Sequence, residues 1–211
     1  DTIMKFGGYG YWSSRNFFTY YSEITREWEY YPINQKSALP PGVSDVNSTC
    51  SENYFYFSGG LITDPRVPLN KTKNDHVWRF NFNEKTWTDL GTAKFASGPN
   101  EQLLDLGNGR KVVKNEFNNG TPISTFINDY PNNEISLIKG FNPSLSIDIG
   151  FVANDTLYNY KNNKLVRLGL THYLTNDLKK QGAMYVDTKA LFDRLTQFTA
   201  VALILLFGVV L

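Results

Sequence analysis

Short aromatic runs, each bounded by glycine, asparagine or proline, recur along the first half of the chain. Residues 54–57 have the sequence Tyr-Phe-Tyr-Phe, and residues 76–80 have the sequence His-Val-Trp-Arg-Phe. Successive side chains of a strand point to opposite faces, and aromatic residues suit such a pleated, packed surface. The polar stretch 81–85 separates the second run from Trp87 and has the composition of a hairpin turn. The pattern therefore predicts an all-β protein.

Glycine pairs follow two strand-like runs. Gly7 and Gly8 close the first run, and Gly59 and Gly60 close the second. Paired glycines at the end of a strand indicate a backbone with positive φ, or a close approach to a neighbouring segment. An ordinary turn is the alternative interpretation.

An aromatic residue also stands seven positions before a tryptophan in two places. Tyr21 precedes Trp28, and Phe80 precedes Trp87. The glycine pairs and the tryptophans each recur after about 50 to 60 residues, a period typical of four-stranded propeller blades. If the two units are repeats, Trp28 and Trp87 should be equivalent residues that are both buried in the core.

The two units resemble kelch repeats. Phe80 departs from the commoner tyrosine of that family, and the stretch 61–74 is longer than its counterpart. The repeat signature consists of Gly7, Gly8, Tyr21 and Trp28 in one unit and of Gly59, Gly60, Phe80 and Trp87 in the next.

The resemblance implies a partial kelch-type β-propeller, with about three to four blades, across residues 1–170. Residues 1–48 and 49–91 would form its two clear blades. Residues 100–170 carry weaker strand patterns, which we interpret as one or two divergent blades; a different all-β appendage is the alternative. The clearest late unit is a hairpin whose first strand is predicted over residues 151–160.

The pattern changes after residue 170. Residues 171–194 are mainly polar and are interpreted as a juxtamembrane segment. Residues 195–211 contain no charged side chain. As a helix they would span about 25 Å, slightly less than a hydrocarbon core of about 30 Å. We expect a transmembrane helix that contacts membrane lipid, with a buried core helix as the alternative.

Sequons for N-glycosylation lie in loop-like stretches at Asn47, Asn70, Asn119 and Asn154. They would make the chain a glycoprotein whose domain lies outside the cytosol, although an asparagine-rich chain also contains sequons by chance. Basic residues precede the apolar tail and none follows it within the sequence. Because basic residues tend to lie on the cytosolic side of a membrane, this arrangement favours a domain in the cytosol.

Three topologies therefore stay open. The chain begins with Asp1 rather than methionine, so we expect a processed product or a fragment. A single-pass protein with an extracellular or lumenal domain, cut before its cytoplasmic basic residues, resembles kelch-like surface proteins of fungi and is favoured. The alternatives are a GPI-anchored protein and a cytosolic, tail-anchored protein.

Composition narrows the chemistry further. The formal net charge is +1 and no basic patch alternates with aromatic residues, which argues against nucleic acid as a partner. The chain has a single cysteine, Cys50, which excludes an internal disulfide. We expect a buried thiol, with a disulfide to another chain as the alternative. The sequence contains no zinc-binding cluster, phosphate loop or Gly-x-Ser-x-Gly motif. A kelch-fold copper oxidase would need Cys50, His76 and His172 in one site, and their spacing does not indicate one.

The sequence thus favours a non-catalytic binding module, without a cofactor, that is displayed on a membrane. Loops at the ends of rigid elements can vary without disturbing the core, and the stretches 33–48 and 61–74 are the candidate contact loops. The ligand would be a protein or a glycan. A structural or assembly subunit of a membrane complex is the alternative function. The polar residues to test first are Asp64, Arg66, Lys71 and Asp75.

Overall fold

The computed structural model describes residues 2–10, 13–34, 36–64, 66–96, 104–117, 124–138, 149–161, 164–175 and 177–208. Within these ranges the chain is mostly β-strand and forms four main sheets in a four-bladed, propeller-like arrangement. The prediction of an all-β, propeller-like protein is therefore confirmed. Membership of the kelch family stays a prediction.

Sheet 1 occupies the N-terminal part of the chain. Its residues form β1 (Met4–Phe6), β2 (Tyr9–Gly10), β3 (Ser13–Ser14), β4 (Phe18–Ser22) and β5 (Glu27–Tyr30). The strands β1, β4 and β5 pair in that order and are antiparallel, whereas β2 and β3 form a separate small hairpin.

Sheet 2 contains the aromatic runs that the sequence shows most clearly. Its residues form β6 (Asn47–Ser51), β7 (Tyr54–Ser58), β8 (Leu61–Asp64), β9 (Val67–Lys73), β10 (His76–Asn81) and β11 (Thr86–Ala93). The strand order is β6-β7-β10-β11, and β8 and β9 form a second separate hairpin. The predicted turn joins β10 to β11, so Phe80 lies directly opposite Trp87.

Sheets 3 and 4 come from the region with the weaker strand pattern. Sheet 3 contains β12 (Phe95–Ala96), β13 (Leu104–Gly107), β14 (Arg110–Phe117), β15 (Ser124–Asp129) and β16 (Glu134–Ile138). Sheet 4 contains β17 (Ile149–Ala153), β18 (Thr156–Lys161) and β19 (Lys164–Gly169).

The prediction of one strand over residues 151–160 is wrong. Asn154 and Asp155 have φ values of 49° and 53°, and they turn the chain between β17 and β18.

The segment 171–194, predicted to be juxtamembrane, contributes strands to the propeller-like body. It contains α1 (Thr171–Thr175), β20 (Leu178–Gly182), β21 (Tyr185–Val186) and the first residues of α2 (Thr188–Gly208). β20 pairs with β16 of sheet 3, and β21 pairs with β11 of sheet 2. Between them, Met184 is fully buried in the core that joins these two sheets. The sequence did not predict these strands, because β20 is a mainly polar edge strand and lacks the alternation of apolar and polar residues that indicates a strand.

Three clusters of buried side chains join the sheets in chain order. The cluster between sheets 1 and 2 is mainly aromatic, whereas the cluster between sheets 3 and 4 is aliphatic. A mixed cluster lies between sheets 2 and 3. Sheets 2 and 3 are therefore covered on both faces, as neighbouring blades of a propeller are. Fully buried members include Phe18, Phe57 and Phe80 in the first cluster, Val77, Val113, Tyr130 and Ile135 in the second, and Leu157 in the third.

Trp28 and Trp87 occupy the same register but have different surroundings. Tyr21 lies opposite Trp28 in sheet 1, as Phe80 lies opposite Trp87 in sheet 2. Trp87 is 3% exposed, whereas Trp28 is 52% exposed. The expectation that both tryptophans are buried is wrong for Trp28. Its side of sheet 1 points away from sheet 2, and none of the described sheets covers it.

The C-terminal helix begins before the predicted span 195–211. α2 starts at Thr188, and residues 209–211 lie outside the described residues. Among the residues that the structure describes, no helix has both the length and the apolar character needed to cross a membrane. Among the side chains that the structure describes on α2, Leu191, Phe192, Leu195 and Phe198 are apolar and exposed.

Candidate functional site

The glycine pairs mark the points where the two hairpins leave their sheets. Gly7 and Gly8 have φ values of 66° and 97°, and Gly59 and Gly60 have values of 64° and 87°. This region of φ favours glycine. A Cβ atom on Gly7 would lie 2.8 Å from the carbonyl oxygen of Val43. Both predicted features, positive φ and close approach, are therefore confirmed, and the close neighbour is the connection between sheets 1 and 2.

Both hairpins return to their sheet through the same backbone contact. The Arg15 N–H donates to the carbonyl oxygen of Gly8 at 2.9 Å, and the Asn74 N–H donates to that of Gly60 at 3.0 Å. The buried Asn74 side chain also donates to the carbonyl oxygen of Gly59 at 2.9 Å. Each hairpin therefore stands on a base that hydrogen bonds hold in place.

The hairpin β2–β3 lies beside the hairpin β8–β9. Ser14 Oγ and Thr63 Oγ1 are 2.9 Å apart and share a hydrogen bond. Lys71 Nζ lies 5.4 Å from the centre of the Tyr9 ring, which is the distance of a cation–π contact. These contacts join a hairpin of sheet 1 to a hairpin of sheet 2 and make one composite surface.

The outward side of the two hairpins combines apolar and cationic side chains. Leu69 is 93% exposed, and Val67 and Tyr9 are each about half exposed. Arg66 and Lys71 are exposed beside them in the sequence of the same hairpin. We call Tyr9, Arg66, Val67, Leu69 and Lys71 the hairpin surface. It can offer apolar contact and positive charge to one ligand.

The structure brings three of the four predicted polar residues together. Asp64 accepts a hydrogen bond from the Arg66 N–H at 2.8 Å, which shapes the turn between β8 and β9. Lys71 lies on β9 and belongs to the same hairpin. Asp75 instead follows the hairpin, at its base, where its carboxylate lies 3.8 Å from His76 Nε2.

Neither predicted contact stretch is a plain loop. The stretch 61–74 is a paired hairpin, because β8 and β9 exchange backbone hydrogen bonds from Leu61 to Lys73. The stretch 33–48 acts in part as a strap: Val43 and Ser44 form isolated bridges to the two hairpin regions. The hairpin replaces the expected loop 61–74, and the strap lies under it.

Tyr9, Val67 and Leu69 are not among the contact residues predicted from the sequence. The signal for two of them was present, because Val67, Leu69 and Lys71 are alternate residues of one strand and share a face. Tyr9 could not be found in this way. It joins the surface only because β2–β3 stands next to β8–β9, which is a long-range property of the fold.

The two histidines form acid–base pairs at separate places. His76 Nδ1 lies 2.8 Å from Asp89 Oδ2, and the Asp89 carboxylate also accepts the Gly91 N–H at 2.9 Å. His172 lies 3.3 Å from Asp177 near α1. Within the described ranges, no group of three or more His, Cys, Asp or Glu side chains is arranged to hold a metal ion.

Cys50 is exposed on β6, so the expectation of a buried cysteine is wrong. Desolvation of its thiol, followed by the nearby Asp105 carboxylate, raises its pKa, while Lys111 acts in the opposite direction. A raised pKa keeps the thiol protonated near neutral pH, and a protonated thiol is a poor nucleophile.

The sequons differ in their accessibility. Asn70 on β9 and Asn154 in the turn before β18 are exposed. Asn47 was expected in a loop, but it belongs to β6 and is 3% exposed, so its amide is not accessible for a glycan in the folded chain. Asn119 lies outside the described residues.

Comparisons with the models of known protein families and with curated proteins give no match for this chain. What supports a function is therefore the fold and the hairpin surface. The kelch resemblance depends on its eight signature residues, which all lie at matching places in sheets 1 and 2. Their surroundings differ at two places: Tyr21 and Trp28 are exposed, whereas their counterparts Phe80 and Trp87 are buried.

Proposed function

We propose that the chain is a non-catalytic, kelch-like binding module, displayed on a membrane, which captures a protein or glycan ligand on the hairpin surface. The observation that carries this proposal is the pairing of two equivalent hairpins from neighbouring blades. Their bases are fixed by glycine pairs and matched hydrogen bonds. Recognition residues are commonly placed on such projections from a rigid scaffold.

The chemistry of the surface suggests what kind of ligand it takes. Leu69 and the Tyr9 ring offer apolar contact, while Arg66 and Lys71 offer positive charge. Asp64 does not cancel this charge fully, because Arg66 and Lys71 carry two positive charges against its one negative charge. An acidic ligand with an apolar or sugar-ring face fits this combination.

Binding of the purified chain to a glycan array and to an acidic-peptide array tests the proposal. The pair Leu69→Ser with Lys71→Glu should weaken the strongest binding by at least about 10-fold, since each change removes one of the two contact types. Asp64→Ala with Arg66→Ala should also abolish capture and leave the thermal transition unchanged.

The matched control carries Ile24→Ser with Lys36→Glu. These two residues are exposed, and the pair makes the same chemical changes outside the hairpins. Its binding should equal that of the parent chain. Binding that survives both hairpin pairs, or hairpin variants that lose their folded transition, would contradict the assignment.

The membrane part of the proposal rests on α2 and on the apolar sequence that ends the chain. Leu195 and Phe198 are exposed on α2, and residues 195–211 lack charge. Flotation with phosphatidylcholine vesicles tests it: Leu195→Asp with Phe198→Asp should abolish flotation, and Ile24→Asp should not. Equal flotation of all three chains would exclude α2 as the anchor.

An extracellular or lumenal position of the domain is supported by the exposure of Asn70 and Asn154. Expression in a eukaryotic secretory system should give a mass that falls on treatment with an N-glycosidase. Asn70→Gln with Asn154→Gln should remove most of that difference, whereas Asn47→Gln should leave it unchanged. An untreated mass equal to that of the bare polypeptide favours the cytosolic, tail-anchored topology instead.

A structural or assembly subunit of a membrane complex is the second candidate. The exposed apolar side chains of α2 favour it, because they can pack on other membrane helices as well as on lipid. Extraction from membranes in mild detergent separates the two functions. Copurification of other subunits at fixed stoichiometry supports an assembly role, and a monodisperse chain without partners supports the binding module. Stoichiometric copper in the purified protein would instead support the third alternative, a kelch-fold copper oxidase.

A further inference from the structure

The face of sheet 1 that points away from sheet 2 carries a groove. It has a volume of about 380 Å³, and its lining includes Lys5, Arg15, Thr19, Trp28 and Tyr30. The register places Lys5, Thr19 and Tyr30 in one row across three strands, so their side chains share this face. The volume lies within the range of small-molecule sites, about 300 to 1,000 Å³. We call this the sheet 1 groove.

Aromatic side chains give the groove an exposed apolar surface. Trp28 and Tyr30 are each more than half exposed. Tyr21 packs against Trp28 with the ring planes 67° apart, and Phe17 packs against Tyr30 at 68°. Each pair therefore offers single ring faces, whereas a planar base held between two rings would need parallel planes. A single ring face suits the C–H side of a sugar, because the ring face is negative and those hydrogens are slightly positive.

The charged side chains that line the groove, Lys5 and Arg15, are both cationic. Within the described ranges neither forms an ion pair with a carboxylate. The Arg15 guanidinium lies over the Phe17 ring at 5.6 Å, and a stacked guanidinium still directs its N–H groups outward in its own plane. Glu29 lies on the opposite face of sheet 1, where it accepts a hydrogen bond from Tyr20 Oη at 2.7 Å. The groove therefore has the charge complementary to an anion.

The polar side chains of the groove stand where sheet 2 has buried aromatic residues. Lys5 and Phe57 each come two residues before a glycine pair, and Thr19 and Trp78 lie opposite them. Phe57 is fully buried and Trp78 is nearly so, because sheet 1 covers that face of sheet 2. An apolar sheet packed in the same way on sheet 1 would bury the Lys5 charge without a partner, which is costly. A cation and a hydroxyl at these two places suit a polar ligand instead.

We propose that the sheet 1 groove binds a carboxylate-bearing sugar unit of an acidic glycan. The carboxylate accepts hydrogen bonds from Lys5 and Arg15, and such charge-assisted bonds are stronger than those between neutral groups. The sugar ring lies on the exposed face of Trp28 or Tyr30, and Thr19 offers its hydroxyl to the sugar. This site is separate from the hairpin surface and does not depend on the function proposed for that surface.

Titration calorimetry of the full chain in a nonionic detergent tests the proposal. The acidic probes are oligogalacturonate, oligoglucuronate and sialyllactose, and methyl-esterified oligogalacturonate is the uncharged control. We expect binding of at least one acidic sugar, with an affinity that falls as the salt concentration rises, because salt screens the ion pairs. The esterified sugar should bind at least about 10-fold more weakly than the best acidic sugar, since an ester cannot form the charge-assisted bonds.

A double variant tests the residues of the groove. Lys5→Gln with Trp28→Ala removes one charge and one ring, and it should weaken binding of the acidic sugar by at least about 10-fold. Lys5→Gln with Tyr30→Ala replaces it if the first variant loses its thermal transition. The matched control is Phe151→Ala with Lys164→Gln, which removes an exposed ring and an exposed charge from sheet 4. Its binding should equal that of the parent chain.

The hairpin surface provides the second control. Leu69→Ser with Lys71→Glu should leave binding of the acidic sugar in place, and loss of binding in this pair would assign the sugar to the hairpin surface and overturn the proposal. No binding of any acidic sugar, equal binding of the ester, tighter binding of adenosine monophosphate, or a folded groove variant that binds like the parent would also overturn it. Sugar binding in the groove, without any capture by the hairpin surface, would refute the proposed function alone.

Discussion

Phe18 of sheet 1 stacks on Trp87 of sheet 2, with ring centroids 5.5 Å apart and ring planes 7° from parallel. Both side chains are almost completely buried. Truncating either one leaves a cavity between two sheets, so Trp87→Ala should lower the free energy of unfolding by about 3 to 5 kcal/mol. Urea denaturation followed by circular dichroism measures this loss.

Trp28→Ala is the matched control for that experiment. It deletes the same atoms at the same register position, but from a side chain that is half exposed. Its cost should be under about 1 kcal/mol, as for most surface substitutions. Equal costs for the two tryptophans would mean that sheets 1 and 2 do not stack as described.

Gly60 should tolerate a side chain less well than Gly107. Both glycines have positive φ, 87° and 76° respectively, so alanine strains the backbone at both by about 1 to 2 kcal/mol. A Cβ atom on Gly60 would also lie 2.7 Å from the carbonyl oxygen of Ser44, whereas nothing lies within 4 Å of one on Gly107. The difference between the two alanine variants in thermal denaturation therefore measures the close approach alone. Identical losses would contradict the contact between Gly60 and the strap.

Tyr130 should make the fold sensitive to alkaline pH. It is fully buried between sheets 2 and 3, its hydroxyl lies 2.7 Å from Ser58 Oγ, and burial raises its pKa to about 12. Between pH 10 and 12 the unfolded chain releases this proton and the folded chain keeps it. The folded state therefore loses stability as the pH rises, at up to about 1.4 kcal/mol per pH unit.

The comparison with Tyr130→Phe isolates this effect from other tyrosines. Tyr56 and Tyr185 also have raised pKa values, chiefly because of burial, and they act in the same direction. The variant should be less stable at pH 8, because the Ser58 hydroxyl loses its partner. Between pH 10 and 12 the free energy of unfolding should fall less in the variant than in the parent. The difference is the part that ionisation of Tyr130 contributes. Parallel pH profiles would refute the assignment.

Local sequence patterns predicted the strands and turns of sheets 1 and 2 well. Aromatic alternation with glycine at the strand ends is a short-range signal, and the seven-residue spacing of Phe80 and Trp87 fixes a hairpin register. The same spacing gave the register of Trp28 correctly. It did not give the burial of Trp28, because burial depends on which surface lies against the residue, and no local pattern encodes that.

The C-terminal strands and Asn47 show a second limit of prediction from the sequence. β20 and β21 are edge strands that pair with sheets formed much earlier in the chain. β20 is mainly polar and β21 has only two residues, so neither shows a two-residue apolar period. Asn47 likewise sits in a sequon that looks like a loop, yet it lies on a strand and its side chain is buried. Each of these features depends on pairing between segments that lie far apart in the sequence. A local pattern of residue types does not predict such pairing.

Met184 provides the test of whether the segment around β20 and β21 is part of the folded body. Its side chain is fully buried, its carbonyl oxygen accepts the Lys94 N–H at 2.9 Å, and its own N–H donates to Asn133 O at 3.3 Å. Met184→Ala should therefore cost about 2 to 5 kcal/mol, as other core truncations do. Leu191→Ala, at an exposed position of α2, should cost under about 1 kcal/mol. Hydrogen exchange adds an independent readout, because the amides of β20 and β21 that bond to sheets 3 and 2 should exchange as slowly as those of β16 and β11. A segment that exchanges like an unpaired linker, together with equal costs for the two alanine variants, would show that β20 and β21 do not complete these sheets.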